Sequence, residues 1–405
     1  MATLLGPICE ALHNNRGNVE TQKKLLLQYL EGFDTDLISL THLAHDPQLQ
    51  VFLQYIFDAL IRTQFPAPNE SDIPPIQLQC LELLTTCCLN HPDLLSTIAS
   101  LAPLDDLILV FFTNQFSIKK NDVQNEFHIN SNNISLDNNE SDDDDEKLTY
   151  DIENPQMSHL LPAFKFLAAI SCSSAITLTS TKSLNLLIHM LHLSMVSISM
   201  LSVYSVSCIA SFSRNCTTFT SFLKSMPTFS TMKKQLASFL SSNDHSLVIV
   251  SLSAISVLFN RGIDKETALK VSIAAVNSPS EYQFITTIAA SIILQLSDEI
   301  DISQKDAEIL LKAVMGSKGM SAYVIYKLLI EVGEAFHQKI RSILQNNSNF
   351  FNNFLKAILD SEEGFVTVAG AHLLLVLFET NPISPEFDIS ESFTKALKTI
   401  LSGKI

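Results

Sequence analysis

Cys80, Cys87, Cys88 and His91 fall within twelve residues, so a metal site is the first chemistry to test. Zinc motifs set their ligands two to four residues apart and repeat the pair. Cys80 and Cys87 instead stand seven apart, two turns along one helix face, which is the spacing of thiols packed in a core. His42-x-x-His45 and His189-x-x-His192 each place two imidazoles on a common helical face. Neither carries the glutamate of H-E-x-x-H that would supply a general base beside a metal, so they read as polar pairs on a surface or groove. There is no G-x-S-x-G elbow and no phosphate-binding glycine loop; Gly316-Ser317-Lys318-Gly319 follows no strand. The sequence therefore assigns no catalytic residue, no metal ligand and no cofactor, and the expectation is a protein that is not an enzyme.

The elements that carry these residues are helices. The 405 residues are 46% hydrophobic and 17% charged, with 10 glycines and no tryptophan. So little glycine argues against nucleotide-binding α/β domains and all-β sandwiches, both of which need it at tight turns. Leu49–Arg62 places Val51, Phe52, Tyr55, Ile56, Ala59 and Leu60 at amphipathic spacing. Phe65–Pro75, with four prolines, is a loop, and Ile76–Leu89 is a second apolar helix. His91-Pro92-Asp93 starts a third, with proline where a helix accepts it.

Charge is concentrated in one place. Asn121–Pro155 holds eleven acidic residues and one basic, a local −10 out of the total −16. Such a composition buries too little apolar area to offset ordering entropy, so 121–155 is expected to be a disordered acidic loop. It separates N-terminal helical repeats (1–120) from a solenoid (156–405). Ser141, followed by three aspartates, is a candidate phosphosite. No basic stripe accompanies this acidity: Lys23-Lys24, Lys119-Lys120 and Lys233-Lys234 are isolated pairs, so no nucleic-acid partner is expected. Seven cysteines, an odd number, and no secretory signal point to a reducing compartment, the cytoplasm or the nucleus.

From Lys182 onward a repeat emerges. Short amphipathic segments (Leu187–Ser194, Gln235–Ser242, Lys270–Asn277, Leu311–Lys318, Phe354–Ser361) alternate with longer, nearly uncharged ones. The longer set is Ser202–Arg214, Val248–Asn260, Phe284–Leu296, Tyr323–Ala335 and Val366–Phe378, whose starts are 46, 36, 39 and 43 residues apart. A helix apolar on nearly every face must be covered on both sides, as stacked repeats cover one another. Ser278-Pro279-Ser280-Glu281 and Ser303-x-x-Asp306 mark helix starts, and Ser384-Pro385-Glu386 opens a final helix.

Over Lys182–Thr380 the chain resembles the armadillo/HEAT-like superfamily, and Val51–Arg62, Ile76–Leu89 and Pro162–Cys172 extend the likeness as single helices. The resemblance implies an all-α, right-handed α–α superhelix. It also implies a non-enzymatic scaffold or adaptor that binds a protein or peptide along the superhelical groove. The chain lacks the Trp–Asn ladder of the subfamily that reads basic localisation signals, having no Trp at all. If the long helices line the groove, Thr287, Ser291 and Gln295 form one polar stripe and Tyr323, Lys327 and Glu331 another. Ser253, Ser256 and Asn260 belong to the same surface. Two other readings accompany this one. Residues 183–212 lack Asp, Glu, Lys and Arg, so a membrane-associated protein with an embedded helical hairpin there is one. A nuclear-transport or assembly factor is the other.

Overall fold

The computed structural model describes residues 4–66, 72–115, 159–195, 199–259, 264–277, 282 and 284–378. The acidic segment with Ser141, the starts at Ser278 and Ser384, and Asn260 lie outside these. Twenty α-helices and no strand occur among the described residues. In chain order they are α1 (Gly6–Asn14), α2 (Val19–Glu31), α3 (Leu37–Ala44), α4 (Leu49–Ile61), α5 (Pro75–Asn90), α6 (Pro92–Leu101) and α7 (Leu104–Phe112). Then follow α8 (Leu161–Ile170), α9 (Thr181–Met195), α10 (Ser199–Asn215), α11 (Thr217–Ser225), α12 (Phe229–Phe239), α13 (His245–Leu258) and α14 (Lys265–Asn277). The last are α15 (Phe284–Ser297), α16 (Gln304–Gly316), α17 (Gly319–Glu331), α18 (Glu334–Asn346), α19 (Ser348–Leu359) and α20 (Gly364–Phe378).

Local chemistry sets the helix ends. The Asp244 carboxylate accepts from the Ser246 and Leu247 N–H groups at the start of α13. Ser303 accepts from the Asp306 N–H and donates its hydroxyl back to that carboxylate at 2.6 Å, closing the capping box expected there. Gly319 opens α17 at φ 57°, a conformation that costs glycine nothing.

The helices stack in two layers. One row runs α2, α5, α8, α10, α13, α15, α17, α20, each packed on the next. Its last five members are the five long apolar segments of the sequence repeat. The other row covers them from outside, with α4 on α7, α7 on α9, α14 on α16 and α16 on α18 and α19. One continuous apolar core runs from Leu5 to Leu377. The chain is an all-α solenoid.

Packing continues across the acidic segment. α5 lies on α8, α7 lies on α9, and the Gln115 and His159 side chains meet at 2.8 Å. Asp105, in the first turn of α7, accepts from the Thr179 and Ser180 N–H groups and from the Thr179 and Ser183 hydroxyls before and within α9. Burial pushes the Asp105 carboxyl up, but these hydrogen bonds outweigh it and hold the group below the usual carboxylate value.

The uncharged stretch 183–212 spans α9 and α10, which pack on each other within the two layers. No single helix among the described residues is long and apolar enough to cross a membrane. The pair α6 and α7 passes that test jointly but is bent by 81°.

Two substitutions test this packing. A Cβ on Gly370 would stand 2.7 Å from Ile358 Cγ1, so α20 approaches α19 as closely as glycine permits. Gly370→Ala is expected to destabilise by about 1–3 kcal/mol despite its better helix propensity. A lowered thermal midpoint is the expected result, and with Ile358→Ala added the double variant should lose less than the sum of the two single losses. Asp105→Ala is expected to cost about 1–2 kcal/mol at neutral pH. The native increment is present above the ordinary carboxylate range and is lost as pH falls through the depressed value. Thermal melts of the two proteins should therefore converge in acid.

Candidate functional site

α17 and α20 are neighbours in the row of long helices, and their starts lie together. Gly319 and Lys318, at the start of α17, share a cleft with Glu363 at the start of α20, and Tyr323 meets Phe365 edge-on with ring centroids 5.7 Å apart. α15 and α17 are neighbours as well, and residues of the two polar stripes read from the sequence line one cleft.

The opposite wall comes from the other end of the chain. The corner between α5 and α6 reaches across to the starts of α17 and α20, where His91 packs on Phe365 at 5.2 Å between centroids. α5 also touches α17 directly. The solenoid thus closes on itself, and between its two ends lies a cleft of about 440 Å³. Thr287 and Ser291 of α15 and Tyr323, Lys327 and Glu331 of α17 form one side. Leu89 of α5 and Pro92, Asp93, Leu95 and Ser96 of α6 form the other. The end of α8, through Ala169, Cys172 and Ser173, completes the lining.

Five of the nine groove candidates therefore share this cleft. Gln295 is exposed but lies outside it. Ser253 is fully buried, which corrects the expectation that it faces a groove: its hydroxyl accepts from the Arg214 guanidinium at 3.0 Å, joining α10 to α13. Ser256 turns its hydroxyl back onto the Ser253 carbonyl at 2.8 Å and does not line the cleft. The physical reason is that α13 is covered by α10 and α15 on its two sides, so small hydroxyls there serve close helix approach. Ser202, Ser205, Ser207, Ser211 and Ser251 are buried in the same way.

The cleft's charges are sparse. Lys327 sits over the Tyr323 ring at 5.7 Å from its centroid, a cation–π contact. Asp93 and Glu331 are in none of the ion pairs among the described residues. Glu331 closes the last turn of α17, where the helix dipole disfavours an anion. The Ser291 hydroxyl donates to the Thr287 carbonyl at 2.9 Å and keeps its oxygen free to accept. The thiols of Cys88 and Cys172 are both pushed up by burial, Cys172 to about 11, so they are protonated and poorly nucleophilic. Cys80 and Cys87 are buried too, and burial pushes Cys87 to about 12. This lining can accept hydrogen bonds, hold a cation and cover apolar side chains.

Ser96 and Phe365 went unnoticed in the sequence, where His91 is weighed only as a metal ligand and His91-Pro92-Asp93 only as a helix start. They face the repeat stripes only through a contact between residues more than two hundred positions apart, and no periodicity records that. The exposed apolar side chains of α20 were equally silent: Val368 and Leu375 are 49% and 43% exposed, on a helix whose pattern reads as core throughout.

No protein-family model matches the chain, and no curated protein matches it. Among solved structures, an engineered protein aligns over 98% of this chain and 82% of its own, with 11% identity and a TM-score of 0.37. Kap121p bound to Pho4p aligns over 99% of this chain with 15% identity and a TM-score of 0.36. A multiple mutant of Kap121p aligns similarly, at 16% identity and a TM-score of 0.36. The chain spans 36% and 35% of the length of those two Kap121p chains.

Proposed function

We propose that this protein is a non-enzymatic, armadillo/HEAT-like adaptor whose cleft holds a short extended segment of a partner protein. The observation that carries this reading is the convergence of Thr287, Ser291, Tyr323, Lys327 and Glu331 with Asp93 and Ser96 on one open cleft. Hydroxyls and carboxylates along its rim suit the N–H groups of an extended backbone, and Leu89, Leu95, Leu294 and Val324 suit apolar side chains. Lys327 is occupied over Tyr323, which leaves Asp93 and Glu331 to receive a lysine or arginine of the partner. The acidic segment, with Ser141 as a phosphorylation acceptor, adds negative charge that draws the same basic partner. Seven cysteines, an odd number, support a reducing compartment, the cytoplasm or the nucleus, as the setting for this role.

Selection from a displayed library of random peptides tests the reading. Recovered sequences are expected to carry one basic residue among apolar ones. Asp93→Lys should weaken them about tenfold or more, the loss of roughly 1.4 kcal/mol. Thr287→Arg, which fills the cleft, should abolish binding while the far-UV circular dichroism is unchanged. Peptides bound equally well by both variants would contradict the proposal.

A further inference from the structure

The cleft exists because the two ends of the solenoid meet, and His91 stands where they meet. It joins α5 to α6, is only 2% exposed, and packs its ring against Phe365. Phe365 in turn packs on the cleft residue Tyr323, so one row of rings connects the closure to the site. His91 Nδ1 is buried without a hydrogen-bond partner. Four other charged or titratable groups surround the corner. Asp93 follows in the first turn of α6, and His45 ends α3 close enough to act on the ring. Glu363 and Lys318 line the adjoining cleft together with Leu89 and Asn90.

Resting on the cleft as a binding site, we propose that His91 is a proton-operated latch on it. When the imidazole takes up a proton, the α5–α6 corner leaves Phe365 and the cleft opens. Two observations support the direction. A protonated ring needs an acceptor at each nitrogen, and the closed form gives Nδ1 none. Cation–π attraction to Phe365 offsets only part of the solvation that a buried, unpartnered charge forfeits. Burial accordingly holds His91 below the usual histidine value; Asp93 opposes this shift and His45 adds to it. Closure is complete above the ordinary histidine range and is lost as pH falls from there through the depressed value. Once the corner is free, solvent and the Asp93 carboxylate receive the imidazolium. Opening leaves the rest of the stack in place, because each layered neighbour from α8 to α20 keeps its partners.

Energy transfer between dyes on Ser100→Cys of α6 and Glu362→Cys before α20 tests this on the full chain. Both positions are exposed, whereas six of the seven native cysteines are buried. Between pH 7.5 and 5.5 transfer should fall reversibly, while His91→Gln should hold high transfer throughout and His45→Gln should still open. If His91→Gln disturbs the helical circular dichroism, His91→Asn serves in its place. A wild-type protein whose transfer is constant over this range would overturn the latch, as would a glutamine or asparagine variant that opens like the wild type. The readout needs no ligand. Acid opening in a protein that selects no peptide contradicts only the cleft's function, whereas peptide binding with no change in transfer contradicts only the latch.

Discussion

A helix that is apolar on nearly every face has to be covered on both sides, and this constraint organises the molecule. α10, α13, α15, α17 and α20 all have this character. Each packs on its neighbours in one row and is covered by amphipathic helices of the other. Such a stack grows along one dimension, and its core is assembled from interfaces between neighbours, not around a single centre. The buried serines follow from the same constraint: a side chain this small lets the next helix come near, even though the Ser205, Ser207 and Ser251 hydroxyls are buried there without a hydrogen-bond partner. Gly370 against Ile358 is the extreme case of that close approach.

The stack also curves far enough for its ends to touch, which creates a site that no single repeat contains. α15 and α17 contribute hydroxyls and one aromatic–cation pair; α5, α6 and α8 contribute apolar cover, Asp93 and Ser96. The contact that completes the site is small compared with the interfaces along the rows, and a buried histidine lies in it. Stability and recognition thus reside in different parts of the structure. The rows supply the first, and a local, adjustable closure supplies the second.

The rows were legible in the sequence because their physics is local. The five long helices, the boundaries at Leu49, Pro75 and Pro92, and the Ser303 cap all depend on residues within a few turns of one another. The site was legible on one side only. Thr287, Ser291, Tyr323, Lys327 and Glu331 show as polar interruptions of an apolar repeat, whereas Asp93 and Ser96 look like any first turn of a helix. Ser253 shows where such reading fails: a serine on a helix covered on both sides is indistinguishable by spacing from one that faces solvent, and Arg214 was too distant in sequence to betray it.

Closure of the solenoid is the claim on which site and latch both depend, and cross-linking tests it most directly. Asn90 and Glu363 line one cleft of about 310 Å³ although they lie 273 positions apart in the chain. With both replaced by cysteine, a short bismaleimide at neutral pH should join them within one molecule, giving a product that migrates faster on a denaturing gel. Recovery of only unlinked or intermolecularly linked chains would show that the two ends stand apart, and would contradict the account.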